Sequence, residues 1–198
     1  MGDGPSEPSG GSDRAAGPGR GRPAGTSSGR PQSSILIPVP AAEELVGPFR
    51  ASHDPVAVAG VPAHITLIVP WLAPGGIAEG DLADLASIVE ATPGWDFDLI
   101  GVRWFGDRVL WLAPEPAAPF LHLTSVLAAR FATAPWGGEF EDVVPHLTVA
   151  HRRAPGDDLQ DVEAALWDAL PVRAAAREVW VMEGDGRRWS VRASFALA

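Results

Sequence analysis

Two short segments with the same lettering constrain this chain more than anything else in it. HITL at 64–67 and HLTV at 146–149 each set a histidine and a threonine two residues apart in an apolar, β-branched run, and each follows a proline, Pro62 or Pro145. In an extended strand residues i and i+2 share a face, so each segment can present its histidine and threonine to one ligand. The stretches that follow are also alike. A Pro-Gly loop, at 74–76 and again at 155–156, leads to a helix opening on Asp-Leu, DLADL at 81–85 and DLQDV at 158–162, and strands come after it. Motifs, helix starts and last strands repeat at a spacing of roughly eighty residues, with differences no larger than a loop, as an internal duplication leaves them. Two like halves about a pseudo-twofold would set the two histidines on either side of one cleft.

A third copy of the lettering, LHLTSV at 121–126, tests the argument. Phe120, Leu123, Leu127 and Phe131 form one helical stripe there, which leaves His122 on the wet side; in a helix i and i+2 lie about 200° apart and cannot serve one ligand. His122 is therefore set aside. One histidine at the mouth of an apolar strand reads as a core side chain with a single hydrogen bond. Two at matched positions of matched halves read as a working pair.

The pattern predicts strands at 35–39, 64–69, 95–100, 102–105, 108–113, 145–149, 172–176, 178–183 and 188–196. Helices are predicted at 41–51, from Asp81 as cap through Leu82, Leu85, Ile88 and Val89, at 117–132 and at 158–169. The fold class expected is α+β, a bilobal pseudo-twofold fold whose two antiparallel sheets face a central cleft, with helices on the outer faces. Residues 1–34 are Gly, Pro, Ser, Ala and Arg with no large apolar side chain after Met1, and read as a disordered tail carrying Arg14, Arg20, Arg22 and Arg30. Residues 35–198 read as a single domain of two lobes.

Composition removes several function classes. With 198 residues, 46% of them hydrophobic, the chain can bury a core without a further module. A net charge of −10 argues against bulk attraction to nucleic-acid phosphates and leaves room only for a local basic site. Cysteine is absent, which excludes disulfides, thiolate nucleophiles and thiolate metal sites. No apolar run is long enough for a membrane span and no secretory h-region opens the chain, so a cytoplasmic monomer away from membranes is expected.

HITL and HLTV, each with a helix after it, together with FDLIGVRWFGDRVLWLAPEP at 97–116 and VVPHLTVAH at 143–151, resemble the two-histidine phosphoesterases, the 2′-5′ RNA ligase and RNA 2′,3′-cyclic phosphodiesterase family. The resemblance covers roughly 35–197. It implies a phosphoesterase needing neither metal nor cofactor, with an RNA end or nucleotide bearing a cyclic phosphate as partner, His64 as proton donor and His146 as acceptor. The chemistry suits two imidazoles, since histidine titrates near 6.5 and one ring can be neutral while the other is cationic. Thr66 and Thr148 would hold the non-bridging phosphate oxygens. Hydrolysis and ligation both stay open.

One position departs from the family pattern. Where relatives carry an arginine five residues after the second motif histidine, this chain has His151, then Arg152 and Arg153. Arg152 shares the strand parity of His146 and is the preferred phosphate anchor; His151 needs a bulge or strand end to aim it inward. Among eight tryptophans, Trp71 alone is placed by pattern near the cleft, as a candidate base-stacking residue. Two other readings are carried: a binding module of the same fold without turnover, and a metal hydrolase using His64, His146 and Asp142. The metal reading is weakened by the absence of His-x-His or His-x-x-x-His spacing.

Overall fold

The computed structural model describes residues 30–138, 142–153 and 158–198. The Pro155–Gly156 loop and residues 1–29 of the expected tail lie outside them. The first strand, β1 (Gln32–Pro38), begins three residues earlier than the apolar run suggests. Ser33 and Ser34 are buried in it, and Ser33 Oγ donates to the carbonyl of Leu72. Polar letters hid the start of a buried strand, in which the Ser33 hydroxyl is satisfied internally.

Helix α1 (Pro40–His53) follows with Pro40 in its first turn, and a single turn, α2 (Pro55–Val58), is capped by Asp54, whose side chain accepts from the amide of Val56. The first motif strand is β2 (His64–Ile68), and α3 (Glu79–Glu90) comes after it. Asp81 is not the N-cap expected of it. It stands in the first turn and reaches back to accept from the amide of Ala78, the half of a capping box that an alanine N-cap still allows.

The three strands expected between 95 and 113 are two. β3 (Trp95–Phe105) runs through one irregularity near Ile100, between Leu99 and Gly101, and β4 (Val109–Glu115) returns beside it. The bulge breaks the sequence alternation without ending the strand. Then come α4 (Ala118–Phe131), a 3₁₀ turn at Pro135–Gly138, the second motif strand β5 (Leu147–His151), α5 (Gln160–Ala169), β6 (Val172–Ala176), β7 (Glu178–Gly184) and β8 (Trp189–Ala196). Phe120, Leu123 and Leu127 are buried on the inner side of α4, and His122 is exposed, as its stripe requires.

Sheet one has the order β2-β1-β7-β8 and sheet two the order β5-β4-β3-β6, with every pairing antiparallel. The halves of the chain are thus interleaved. Each sheet takes its edge motif strand from one half and strands from the other, whereas the sequence repeat alone suggested one sheet per half. β2 and β5 approach one another, so the sheets meet along their motif edges and curl into an open half-barrel. Helix α1 packs against β5, β6 and α5, while α4 lies on β2 and α3 on β8.

Alternation within the strands explains the layering. Ile37 faces Ile65 across β1 and β2, and Leu110 and Leu112 take the matching side of β4; all four are fully buried in one core that also takes in Val46, Leu85, Phe120 and Leu166 from the helices. The other face of each sheet carries the motif side chains. Among the described residues no helix is long and apolar enough to cross a membrane.

Candidate active site

His64 and His146 are held in the same way. The Nδ1 of His64 lies 2.8 Å from the carbonyl oxygen of Pro62, and the Nδ1 of His146 lies 2.7 Å from that of Val144, two residues back in each case. A carbonyl only accepts, so Nδ1 carries the hydrogen in each neutral ring and Nε2 is left with a free lone pair. Neither bond is visible as a motif, because it depends on how the chain enters the strand. Each ring sits at the mouth of its strand, followed by a threonine on the same face: Thr66 is opposite Leu36, and Thr148 opposite Trp111.

The two rings are near enough for the charge of one to bear on the other. Burial pushes both down to about 4, from an ordinary value of 6.5. For His64 the Arg50 guanidinium lowers it further, while the Pro62 carbonyl and the Asp54 carboxylate oppose the fall. For His146 the Val144 carbonyl opposes it and His151 adds to it. Without a ligand both are therefore neutral at pH 7. An anion seated between them would draw a proton in.

Arg50 and Asp54, at the end of α1, form a buried ion pair beside the histidines. The Nη2 of Arg50 donates to Asp54 Oδ2 at 3.0 Å and to the Val61 carbonyl at 3.2 Å, and each residue is 1% exposed. Asp54 Oδ1 accepts from Val56 and lies 3.8 Å from Nε2 of His151. Sequence reasoning did not single out this carboxylate. The available signal was Asp-Pro at a helix start, which marks a cap but says nothing of what the second oxygen faces.

His151 is brought to the pair by a bulge. Leu110 pairs with Ala150 but Trp111 pairs with Thr148, so Val149 is the extra residue, and His151, opposite Val109, returns to the face of Thr148. Simple alternation had favoured Arg152 instead. The bulge sends Arg152 the other way, with its guanidinium over the Trp104 ring at 5.2 Å. Burial lowers the His151 ring, Asp54 raises it, and Arg153 and Arg108 lower it further.

Aromatic rings enclose His146. Phe105 meets it edge-on at 4.8 Å, Trp111 lies at 5.8 Å, and Trp136 stacks on it at 5.3 Å with 24° between planes. Trp136 was not anticipated; the Pro-Trp-Gly-Gly run is a loop signal without direction. Trp71, the tryptophan that sequence placed near the cleft, is instead a core residue, 5% exposed with its ring edge-on to Phe131 at 5.1 Å. A small pocket of about 50 Å³ lies beside His64 and Thr66, lined also by Ser34, Leu36 and Trp189. A larger groove of about 480 Å³ between Glu43 and Pro62 holds neither motif. Among the described residues no three His, Asp or Glu side chains are grouped as a metal ion would need.

Comparison with known proteins bears on the family and the fold. A family model described as the 2′-5′ RNA ligase superfamily matches residues 37–188. The fold is similar to that of Escherichia coli LigT crystallised with NADP+, at 22% identity and a TM-score of 0.55, covering 86% of this chain and 99% of that one. The same protein with 3′-AMP gives 21% identity and 0.54, with 85% and 99% covered. TT0787 of Thermus thermophilus gives 20% identity and 0.50, with 84% and 97% covered. No protein of curated function matches the sequence.

Proposed function

We propose that this chain, which belongs to the 2′-5′ RNA ligase superfamily, hydrolyses a 2′,3′-cyclic phosphodiester at an RNA end or on a related ribose, through His64 and His146 and without a metal. The single observation that carries the reading is the matched pair of Nδ1 bonds to the Pro62 and Val144 carbonyls, which leaves two Nε2 atoms to act on one group. Nucleotide ligands in the LigT crystals, NADP+ and 3′-AMP, support a nucleotide-sized substrate.

In the proposed step His146 takes a proton from water, whose oxygen attacks phosphorus, and His64 gives its proton to the departing ribose oxygen as the P–O bond breaks. Each positioned acid or base contributes on the order of 10²- to 10⁴-fold. Thr66 and Thr148 donate to the non-bridging oxygens as charge grows there. His151, with Asp54 behind it, supplies a cation to the phosphate when protonated. The aromatic rings around His146 favour its imidazolium as the proton arrives, which supports the acceptor role for this ring. Run backwards, the same atoms exchange roles and join ends.

The test is hydrolysis of 2′,3′-cyclic nucleotides with EDTA present, for wild type, His64→Ala, His146→Ala and His122→Ala. Turnover that survives chelation and His122→Ala and disappears in the other two supports the reading. Loss on chelation overturns the metal-free mechanism, and binding without turnover by the wild type points to a binding module.

A further inference from the structure

We propose that Arg103 forms a second phosphate subsite on the open face of sheet two, so that the protein favours ribose phosphates carrying a further phosphate ester on the 5′ side. The location rests on the reading that the reacting phosphate sits between His64 and His146; the subsite itself rests on separate observations.

Register puts Arg103 on the working face. It lies directly opposite Trp111, which lies directly opposite Thr148, and paired residues in an antiparallel sheet point the same way. Two strand spacings separate Arg103 from Thr148, roughly 10 Å. That is a span one phosphodiester step and an arginine side chain cover between them. The surface between is flat and aromatic: Phe105 stacks on Trp111 at 4.7 Å, and Phe105 also touches His146. A ribose or base has somewhere to lie.

The guanidinium is exposed and uncommitted. Arg130, Arg173, Arg177 and Arg192 all pair with carboxylates, Asp84, Asp98, Asp96 and Glu183. Arg103 has no carboxylate partner among the described residues; its one hydrogen bond goes from Nη1 to the neighbouring Val102 carbonyl at 3.2 Å. In a chain of net charge −10 an arginine left without an acid, on the site-bearing face, is a local basic site of the kind the composition still permits. Gly101 makes room for it. A Cβ there would stand 3.3 Å from Nη1 of Arg103, so the guanidinium lies against a residue without a side chain, whose partner across the ladder is the small Ala113. Its fork geometry suits a phosphate ester.

The same face sets a limit. Farther up β3 it reaches Asp98, opposite Glu115 and 3.5 Å from Arg173. An anionic chain meets carboxylates there, so the track accommodates one phosphate beyond the reacting one.

The experiment is calorimetric titration with adenosine 3′-monophosphate and adenosine 3′,5′-bisphosphate, using wild type, Arg103→Ala, Arg103→Lys and Arg130→Ala. Wild type is expected to bind the bisphosphate about tenfold more tightly, the scale of one charge-assisted contact. Arg103→Ala brings the ratio of the two Kd values close to one, Arg103→Lys keeps part of it, and Arg130→Ala keeps all of it. Equal Kd values in wild type, a ratio that survives Arg103→Ala, or no binding of either ligand overturns the proposal. Binding is read without turnover, so loss of cyclic-phosphate hydrolysis with the ratio intact would sink the catalytic reading and leave the subsite standing.

Discussion

The indole of Trp136 lies over the imidazole of His146, ring centroids 5.3 Å apart and planes 24° from parallel, on a backbone with φ 55° and ψ 29°. A left-handed conformation costs a non-glycine residue roughly 1–2 kcal/mol. Pro135 precedes Trp136 and Gly137, at φ 65°, follows it, and the turn they form also contacts β2. The turn that carries the strained residue therefore meets both His146 and β2, a place where strain commonly serves a site.

From this, Trp136→Gly should separate stability from activity. Glycine adopts the conformation freely, so the melting temperature stays within a few degrees of wild type, while loss of the stacked ring lowers kcat about tenfold, the scale of a desolvated cation–π contact. Thermal melts and steady-state rates on a cyclic nucleotide check it; unchanged kcat would reduce Trp136 to a loop filler. Trp71→Ala is the contrast, costing about 3–5 kcal/mol of stability as a core deletion against Phe131.

The pH dependence follows from the two imidazoles held down at about 4. One protonated and one neutral ring are needed, and in the free protein that population is greatest near pH 4 and falls as pH rises. Hence kcat/KM, which reports the free enzyme, should climb as pH is lowered from 8 towards 5. A bound phosphate favours the cation, so kcat should hold to higher pH than kcat/KM. Rate profiles on a 2′,3′-cyclic nucleotide decide it, and a bell centred on neutrality for kcat/KM would contradict the burial argument. Stability has its own sign. Histidines at about 4 when folded and near 6.5 unfolded bind fewer protons in the folded state between those values, so the fold loses stability as pH falls from 6.5 to 4.

The buried Arg50–Asp54 pair makes a third test. Removing one partner strands the other charge out of water, and Asp54→Ala should cost about 3–5 kcal/mol by chemical denaturation. The double variant Arg50→Met with Asp54→Ala should recover part of that loss, since no charge is then stranded. Equal instability of the single and double variants would show that the cap on Val56, and not the ion pair, is what Asp54 contributes.

The chain of letters was enough to place a strand at each motif, to within two residues of its ends, the helices around 82–89 and 118–131, the α+β class, and His122 on the wet side of a helix. These are local matters: side-chain period and apolar stripe decide them within a dozen residues. Whatever depended on remote pairing had to await three dimensions. The interleaving of the two halves, the bulge at Val149 that exchanges His151 for Arg152, the fate of Trp71 and Trp136, and the Asp54 carboxylate beside His151 all depend on which strand or helix lies next to which. A sequence carries the parity of each residue along its own strand. Only the neighbouring strand, by the register in which it pairs, says which way that parity finally points.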